Sequence, residues 1–486
     1  MKKLTLIMLM LMLVLGTVSV MYAAEEASTT AVVAGGETKI TLAGELRFRG
    51  EFSRNLKDQL NDDERRLVTT PAPPGFKFGD DDHNAYYDGR VRLSVDAKIG
   101  KEVQGFLELE SGSDNTDLWT WGKGTSDATA VSGATGIYPN GNSKRGDLHI
   151  RQAWILYTKD TYGLKVGHQL WYLGNKLFFD HTKFGDDGIR IIIDPTKYVH
   201  IEIKTIKLTE QTTNHPDDGD AYILEMKYKG NGVNASADIA YVNDQNFAAL
   251  VPAYQYAHVW NIGLRGDYTN GPVTVRGDIE AQAGKLENAD NKDLEDATLK
   301  GWAALLGLDY RIAGNIPLRL TLEGAYGSGE SSDDTSSDFK TFITSLGNDQ
   351  HYTYVYEYKL KSAAGATNTG IANTFYIKGE ANAKFTDKLD GTLSLYWLQA
   401  AKKVALNAVA GPGLPIVNPS KDLGWELDTK ITYKLAKNLQ YYVEGGYMFV
   451  GRAYDNVIQN RVLPVAEFST ERSDAYAVRN GIQFNF

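Results

Sequence analysis

From Ile40 to the carboxy-terminal Phe486, apolar and charged residues alternate, and the connectors interrupting them are by turns short and long. In ITLAGELRFRGEF, Ile40, Leu42, Leu46, Phe48 and Phe52 share one face, and Glu45, Arg47, Arg49 and Glu51 share the other. Period two is the mark of a strand with unlike faces, which a soluble sandwich would also show. The connectors discriminate. Short links recur at IGKE near Gly100, KDTYG (159–163), DPTK (194–197), KGNG (229–232), TNGP (269–272), AGN (313–315), TDKLD (386–390) and AKN (436–438). Between them lie segments rich in Asp, Asn, Ser and Gly, the largest being 54–84, 112–146 and 328–372. Tight turns on one rim and long loops on the other are expected of a barrel closed in a bilayer. The expected fold is therefore all-β: a single transmembrane antiparallel β-barrel of about 18 strands, with short periplasmic turns and long extracellular loops. A wall of that size encloses a water-filled channel.

Composition agrees. The 486 residues would otherwise suggest about three domains of ~150 residues. Yet 28 tyrosines, 48 glycines and only 13 prolines, with no long apolar run beyond the leader, suit one large barrel, whose lipid-facing residues are only every second one. The absence of cysteine excludes disulfides and thiolate metal sites. A net charge of −10 argues against nucleic acid, which calls for a basic face. Lys2 and Lys3, the apolar run Leu4 to Leu15 and Ala23-Ala24 before Glu25 read as a signal peptide. The expected partition is 1–24 signal peptide, 25–37 periplasmic segment and 38–486 barrel. The location expected after cleavage is the bacterial outer membrane, with its lipid and lipopolysaccharide as partners.

The outward rows include Val91, Leu93, Val95 and Ala97; Trp260, Ile262 and Leu264; Leu318, Leu320 and Leu322; and Trp425, Leu427, Ile431 and Tyr433. The opposite faces define a lumen in which acids and bases are about equal in number. Expected pore-lining residues are Arg47, Arg49, Arg90, Arg92, Arg151, Gln169, Arg190 and Arg479, with Glu45, Asp88 and Glu108. One reading is a mutually neutralising salt-bridge lattice. The other is an arginine ladder on the first strands and the closing one, which would attract anions and offer bidentate contacts. The large loops are expected to fold partly inward and narrow the mouth, and Trp119 and Trp121 to pack as anchors.

The chain ends SDAYAVRNGIQFNF, with Tyr476, Val478, Ile482, Phe484 and Phe486 on one face of a strand. This resembles the carboxy-terminal signal of bacterial outer-membrane barrels, and so implies the barrel-assembly machinery as a partner. A more specific resemblance lies in ITLAGELRFRGEF, GRVRLSVDAKIGKEVQGFLELE, RQAWILY, LKVGHQLWYLGNKLF and FGDDGIRI. These segments are similar to the alginate export family of outer-membrane barrels. The resemblance implies an 18-stranded porin, with some members exporting an anionic polysaccharide. It carries over Arg47, Arg49, Arg90, Arg92, Gln152, Gln169 and Arg190. The chain departs from the pattern at His168, where an arginine is expected. The expected function is passive diffusion of small hydrophilic solutes, with anions among the candidates. The alternatives are export of an alginate-like polysaccharide, or a structural or hydrolase-bearing barrel.

Other signals are weaker. GNGVNA (230–235) spells a dinucleotide-like motif but falls in a turn between strands. The histidines show no metal-ligand spacing, so no catalytic residue, metal ligand or cofactor is assigned. A wall hydrolase would have to use His149 near Glu108 or Arg151. Asp80-Asp81-Asp82, Asp217-Asp218 with Asp220, and Asp333-Asp334 could attract Ca²⁺, though none has EF-hand spacing.

Overall fold

A computed structural model describes residues 32–35, 38–56, 83–112, 119–121, 148–210, 218–245, 247, 254–288, 296–330, 337–344, 352–358, 360, 370–404, 406, 419–459, 466–469 and 472–486. Eighteen strands form the wall: Thr38–Arg54 (β1), His83–Ile99 (β2), Val103–Ser111 (β3), His149–Lys159 (β4), Tyr162–Tyr172 (β5) and Asp180–Thr196 (β6). They continue with Val199–Thr209 (β7), Gly219–Gly230 (β8), Val233–Asp244 (β9), Tyr256–Asn270 (β10), Val273–Glu287 (β11) and Trp302–Ile312 (β12). The last six are Leu318–Gly327 (β13), Thr374–Lys384 (β14), Leu389–Val404 (β15), Ser420–Ala436 (β16), Leu439–Val450 (β17) and Ala475–Asn485 (β18). Each pairs antiparallel with the next, and β18 pairs with both β17 and β1, which closes the sheet on itself.

All eight short links fall between consecutive wall strands on one rim. The decoy GNGVNA is one of them. Asn231 and Gly232 both take positive φ, 53° and 77°, as a two-residue hairpin turn requires, and β9 follows rather than a helix. At the seam Gly44 and Phe486 exchange backbone hydrogen bonds of 2.8 and 3.0 Å. Below them Val32–Gly35 folds back along Thr38–Thr41 and continues the sheet where β18 ends.

The two faces separate as the alternation demands. Ile262, Leu264 and Leu306 are 56, 60 and 66% exposed on the outer face, the surface that hydrocarbon covers. Aromatics flank this apolar band. Trp260, Trp302 and Trp425 lie near the loop rim, while Tyr162, Tyr198, Tyr268 and Tyr310 lie near the turn rim. Trp121 also packs outside, stacked on Tyr87 at 5.5 Å and edge-on to Phe48 at 6.1 Å. It follows Trp119–Thr120, which pairs with Asp88 and Gly89 beside β2. Leu264 sits mid-strand opposite Ala237 and Ile279. Leu264→Arg should therefore cost about 2–4 kcal/mol of stability in lipid. Urea unfolding in liposomes measures it, and an unchanged midpoint would contradict the assignment of this face.

Candidate functional site

Among the described residues, two loop segments enter the barrel and pack against its inner wall. The first, 173–179, joins β5 to β6, with Leu173, Leu177, Phe178 and Phe179 at most 1% exposed. It rests against the inner side of the wall as far away as β11, where Asn175 donates from its backbone N–H and from Nδ2 to Asp278 Oδ2 at 3.2 and 3.0 Å. Gly174 makes this approach possible. Its φ is +45°, and a Cβ there would lie 1.8 Å from Arg265 Cδ. Arg265 anchors the spot by facing three carboxylates: Asp238, Asp278 at 3.5 Å and Glu280 at 2.6 Å. Inward-facing Ile206, Ile223, Val242, Val259 and Leu286, all nearly inaccessible, complete an apolar layer in the loop-side half of the lumen.

The second segment, Tyr352 to Tyr358, belongs to the long loop between β13 and β14. Backbone N–H groups of Val355 and Tyr356 donate to Glu426 at 2.5 and 2.8 Å, and that of Tyr354 donates to Asp428 at 3.0 Å. Both carboxylates project inward from β16, so the loop takes from the wall acceptors it lacks in itself. Tyr352 stacks on Tyr376 at 4.9 Å and accepts a 2.7 Å bond from the Tyr396 hydroxyl. Arg479 ties the other end. Its guanidinium lies 5.6 and 5.7 Å from the rings of Tyr354 and Tyr358, and it pairs with Glu51 at 3.0 Å and Glu444 at 3.2 Å. Burial pushes the phenol of Tyr354 well above its ordinary value, so it is neutral. A third contact joins Gln282 and Ile343 through reciprocal bonds of 2.7 and 2.9 Å. The inward folding expected of 328–372 is thus seen in its described residues. Most of 54–84 and 112–146 lies outside them, as does the Trp119 side chain.

The expected lumen residues occupy inward positions, and most of the arginines are tied to carboxylates across strands. Arg49 bonds Asp88 at 2.7 Å, Arg90 pairs with Glu45 at 2.5 Å, and Arg151 with Glu108 at 2.5 Å. Arg92 meets Glu110, and Arg190 meets Glu202 at 3.2 Å. The arginines differ in access. The side chains of Arg49 and Arg479 are 2 and 7% exposed, and Arg47 is buried beside them. Arg90, Arg92, Arg151 and Arg190 keep 14, 21, 12 and 19%. Among the described residues the loop segments meet the wall at β10 and β11 and from β14 to β18, so that the wall from β2 to β5 is the lane they leave uncovered. Gln169 does not reach it; fully buried, it donates to Gly188 O at 3.1 Å.

Several inward residues escaped the sequence reading. Glu202, Lys204, Glu225 and Asp238 are buried on β7 to β9, with Lys204 bridging Glu202 at 2.8 Å and Glu225 at 2.5 Å. The alternation in IEIKTIKL carried that signal. Phe106 and Trp154 stack inside the lumen at 5.2 Å. Among the decoys, Glu108 bonds Arg151 and Gln152, while His149 pairs in register with Glu110. His168 faces outward and meets Asp187 at 3.1 Å. Asp218 and Asp220 face Lys207 at 2.8 and 3.2 Å. Asp80 to Asp82, Asp217, Asp333 and Asp334 lie outside the described residues.

Comparison with known proteins places this geometry. Residues 41–462 match the family described as Alginate export. The fold is similar to that of the outer membrane protein OpdK of Pseudomonas aeruginosa. The TM-score is 0.50 at 10% identity, covering 92% of this chain and 98% of that one. OccK8 (OprE) of the same organism gives a TM-score of 0.50 at 9% identity, over the same shares of each chain. No curated protein matches the sequence.

Proposed function

This chain is a member of the alginate export family, and from that premise we propose that it is an outer-membrane channel for passive diffusion of small hydrophilic solutes, with anions favoured. The observation that carries the proposal is the unequal cover of the lumen. Among the described residues the loop segments cover the wall on either side of a lane where Arg90, Arg92 and Arg151, with Arg190 beside it on β6, keep partial access, while Lys227, Arg276, Arg319 and Lys430 keep access elsewhere on the inner face. Paired charges on a wetted wall give a polar, rigid surface that replaces hydration without holding solute tightly. The remaining exposure of the arginines tilts the local potential towards anions.

Export of an anionic polysaccharide is the second reading, favoured by the family. The inward loops weigh against it, since a polymer needs a continuous wide bore. In either case the leader would be cleaved on export, β18 would present Phe486 to the assembly machinery, and lipopolysaccharide would surround the loop rim. The channel needs no cofactor. Planar-bilayer recording across a KCl gradient tests the proposal. The expected reversal potential has the sign of chloride preference, with glucuronate permeating liposomes faster than polymeric uronate. Cation preference would overturn the anionic part, and absence of any conductance would overturn the channel itself.

A further inference from the structure

Lys165 faces Arg190 across neighbouring strands of the lumen wall, as Arg47 faces Arg90 and Arg311 faces Arg319. Lys165 and Arg190 are direct partners in the β5–β6 register, on the turn-side half of the wall and below the first inward loop. Like charges directly opposite on neighbouring strands repel. In the other two pairs an acid stands beside one member, Glu45 at Arg90 and Glu380 at Arg319, as Glu202 does at Arg190. Among the described residues no carboxylate lies within ion-pair distance of Lys165. Its ammonium instead lies over the indole of Trp154, 3.6 Å from the ring centroid. Arg190 commits one terminal nitrogen to Glu202, rests on the buried ring of Trp171 at 4.7 Å, and leaves its Nε buried without a hydrogen-bond partner.

We propose that this pair, with the aromatic row beside it, is a solute subsite for a ring-bearing carboxylate; the inference rests on the channel reading. Lys165 is the placeholder. Its flexible stem lets the ammonium leave the indole face and meet an incoming carboxylate, whose second oxygen reaches Nη2 of Arg190, the terminal nitrogen that Glu202 does not engage. The vacated face of Trp154, stacked with Phe106 on its other side, then receives the flat side of the ring. One free ammonium and one free guanidinium edge suit a single negative charge better than a phosphate dianion, because Glu202 already takes part of the arginine. A bare carboxylate would use the cations and waste the platform; a neutral ring would leave the like charges facing each other. Sugar acids and aromatic acids share the required chemistry.

Single-channel block in KCl near physiological strength separates these possibilities, with D-glucuronate and benzoate as probes and glucose and acetate as controls. Glucuronate, benzoate or both should interrupt the current at concentrations where the controls do not, and the active probe identifies the acid class. Lys165→Gln should weaken block about tenfold, the scale of one charge-assisted hydrogen bond. Lys165→Arg should retain most of it. Trp154→Ala should bring the ring acids down to the level of acetate. Quenching of tryptophan fluorescence in micelles by the same probes should be lost in Trp154→Phe. This second readout requires no ion flow, so a barrel that does not conduct still reports on the subsite. Equal block of wild type and Lys165→Gln, or block by acetate as strong as by the ring acids, would overturn the proposal.

Discussion

Excision of residues 345–369, with a short glycine-serine link in their place, should raise single-channel conductance about two- to threefold. The segment removed contains Tyr352 to Tyr358, which thickens the wall from β14 to β18 and covers Arg479. Wall register should survive, because the β13–β14 pairing from Leu318 to Tyr326 does not involve this segment. A milder variant tests the same attachment. Glu426→Ala with Asp428→Ala removes the acceptors of three loop N–H groups. Buried backbone donors cannot stay without partners, so the loop should detach and rewet. Flicker between the wild-type level and the excised level is the expected record. If excision leaves conductance unchanged, the constriction lies elsewhere.

Arg265→Leu should be the most damaging single substitution in the lumen. The arginine side chain is 4% exposed and its three acidic neighbours are inaccessible. Removing one partner of a buried ionic group costs about 3–5 kcal/mol, because the remaining charges are stranded. Here three carboxylates would face one another, and Gly174 would lose the surface it packs on. A lower unfolding midpoint in detergent should appear together with a shift towards cation preference. Adding Asp238→Asn and Glu280→Gln should restore most of the midpoint, since the repulsion is relieved even though the arginine is not replaced. Failure of that rescue would mean that Arg265 acts through packing alone.

The wall was legible because lipid imposes a local rule. Every second residue must be apolar, and turns such as Asn231-Gly232 declare themselves over a few positions. Membership of the lumen was equally local: Arg47, Arg90 and Arg479 could be assigned from parity alone. What remained hidden was which of them solvent reaches. Asn175 meets Asp278, and Tyr354 meets Asp428, across separations of 103 and 74 residues, and no periodicity encodes such encounters. Cover over Arg479 depends on the second of them, which brings Tyr354 and Tyr358 against its guanidinium. The lumen aromatics Phe106 and Trp154 sit where strand parity puts them, but parity does not mark them as a stacked pair.

The seam between β1 and β18 also has a kinetic meaning. Arg479 and Glu51, which face each other there, are 428 residues apart in the chain. The entropy of closing so long a loop grows only slowly, by about 0.6 kcal/mol per doubling of length, so the equilibrium cost is moderate. The timing is not moderate. Non-local pairing of this kind is slow, and until it forms both seam strands present unpaired edges to any neighbour. The most vulnerable moment for this barrel is thus the interval between release of its last strand and capture of its first.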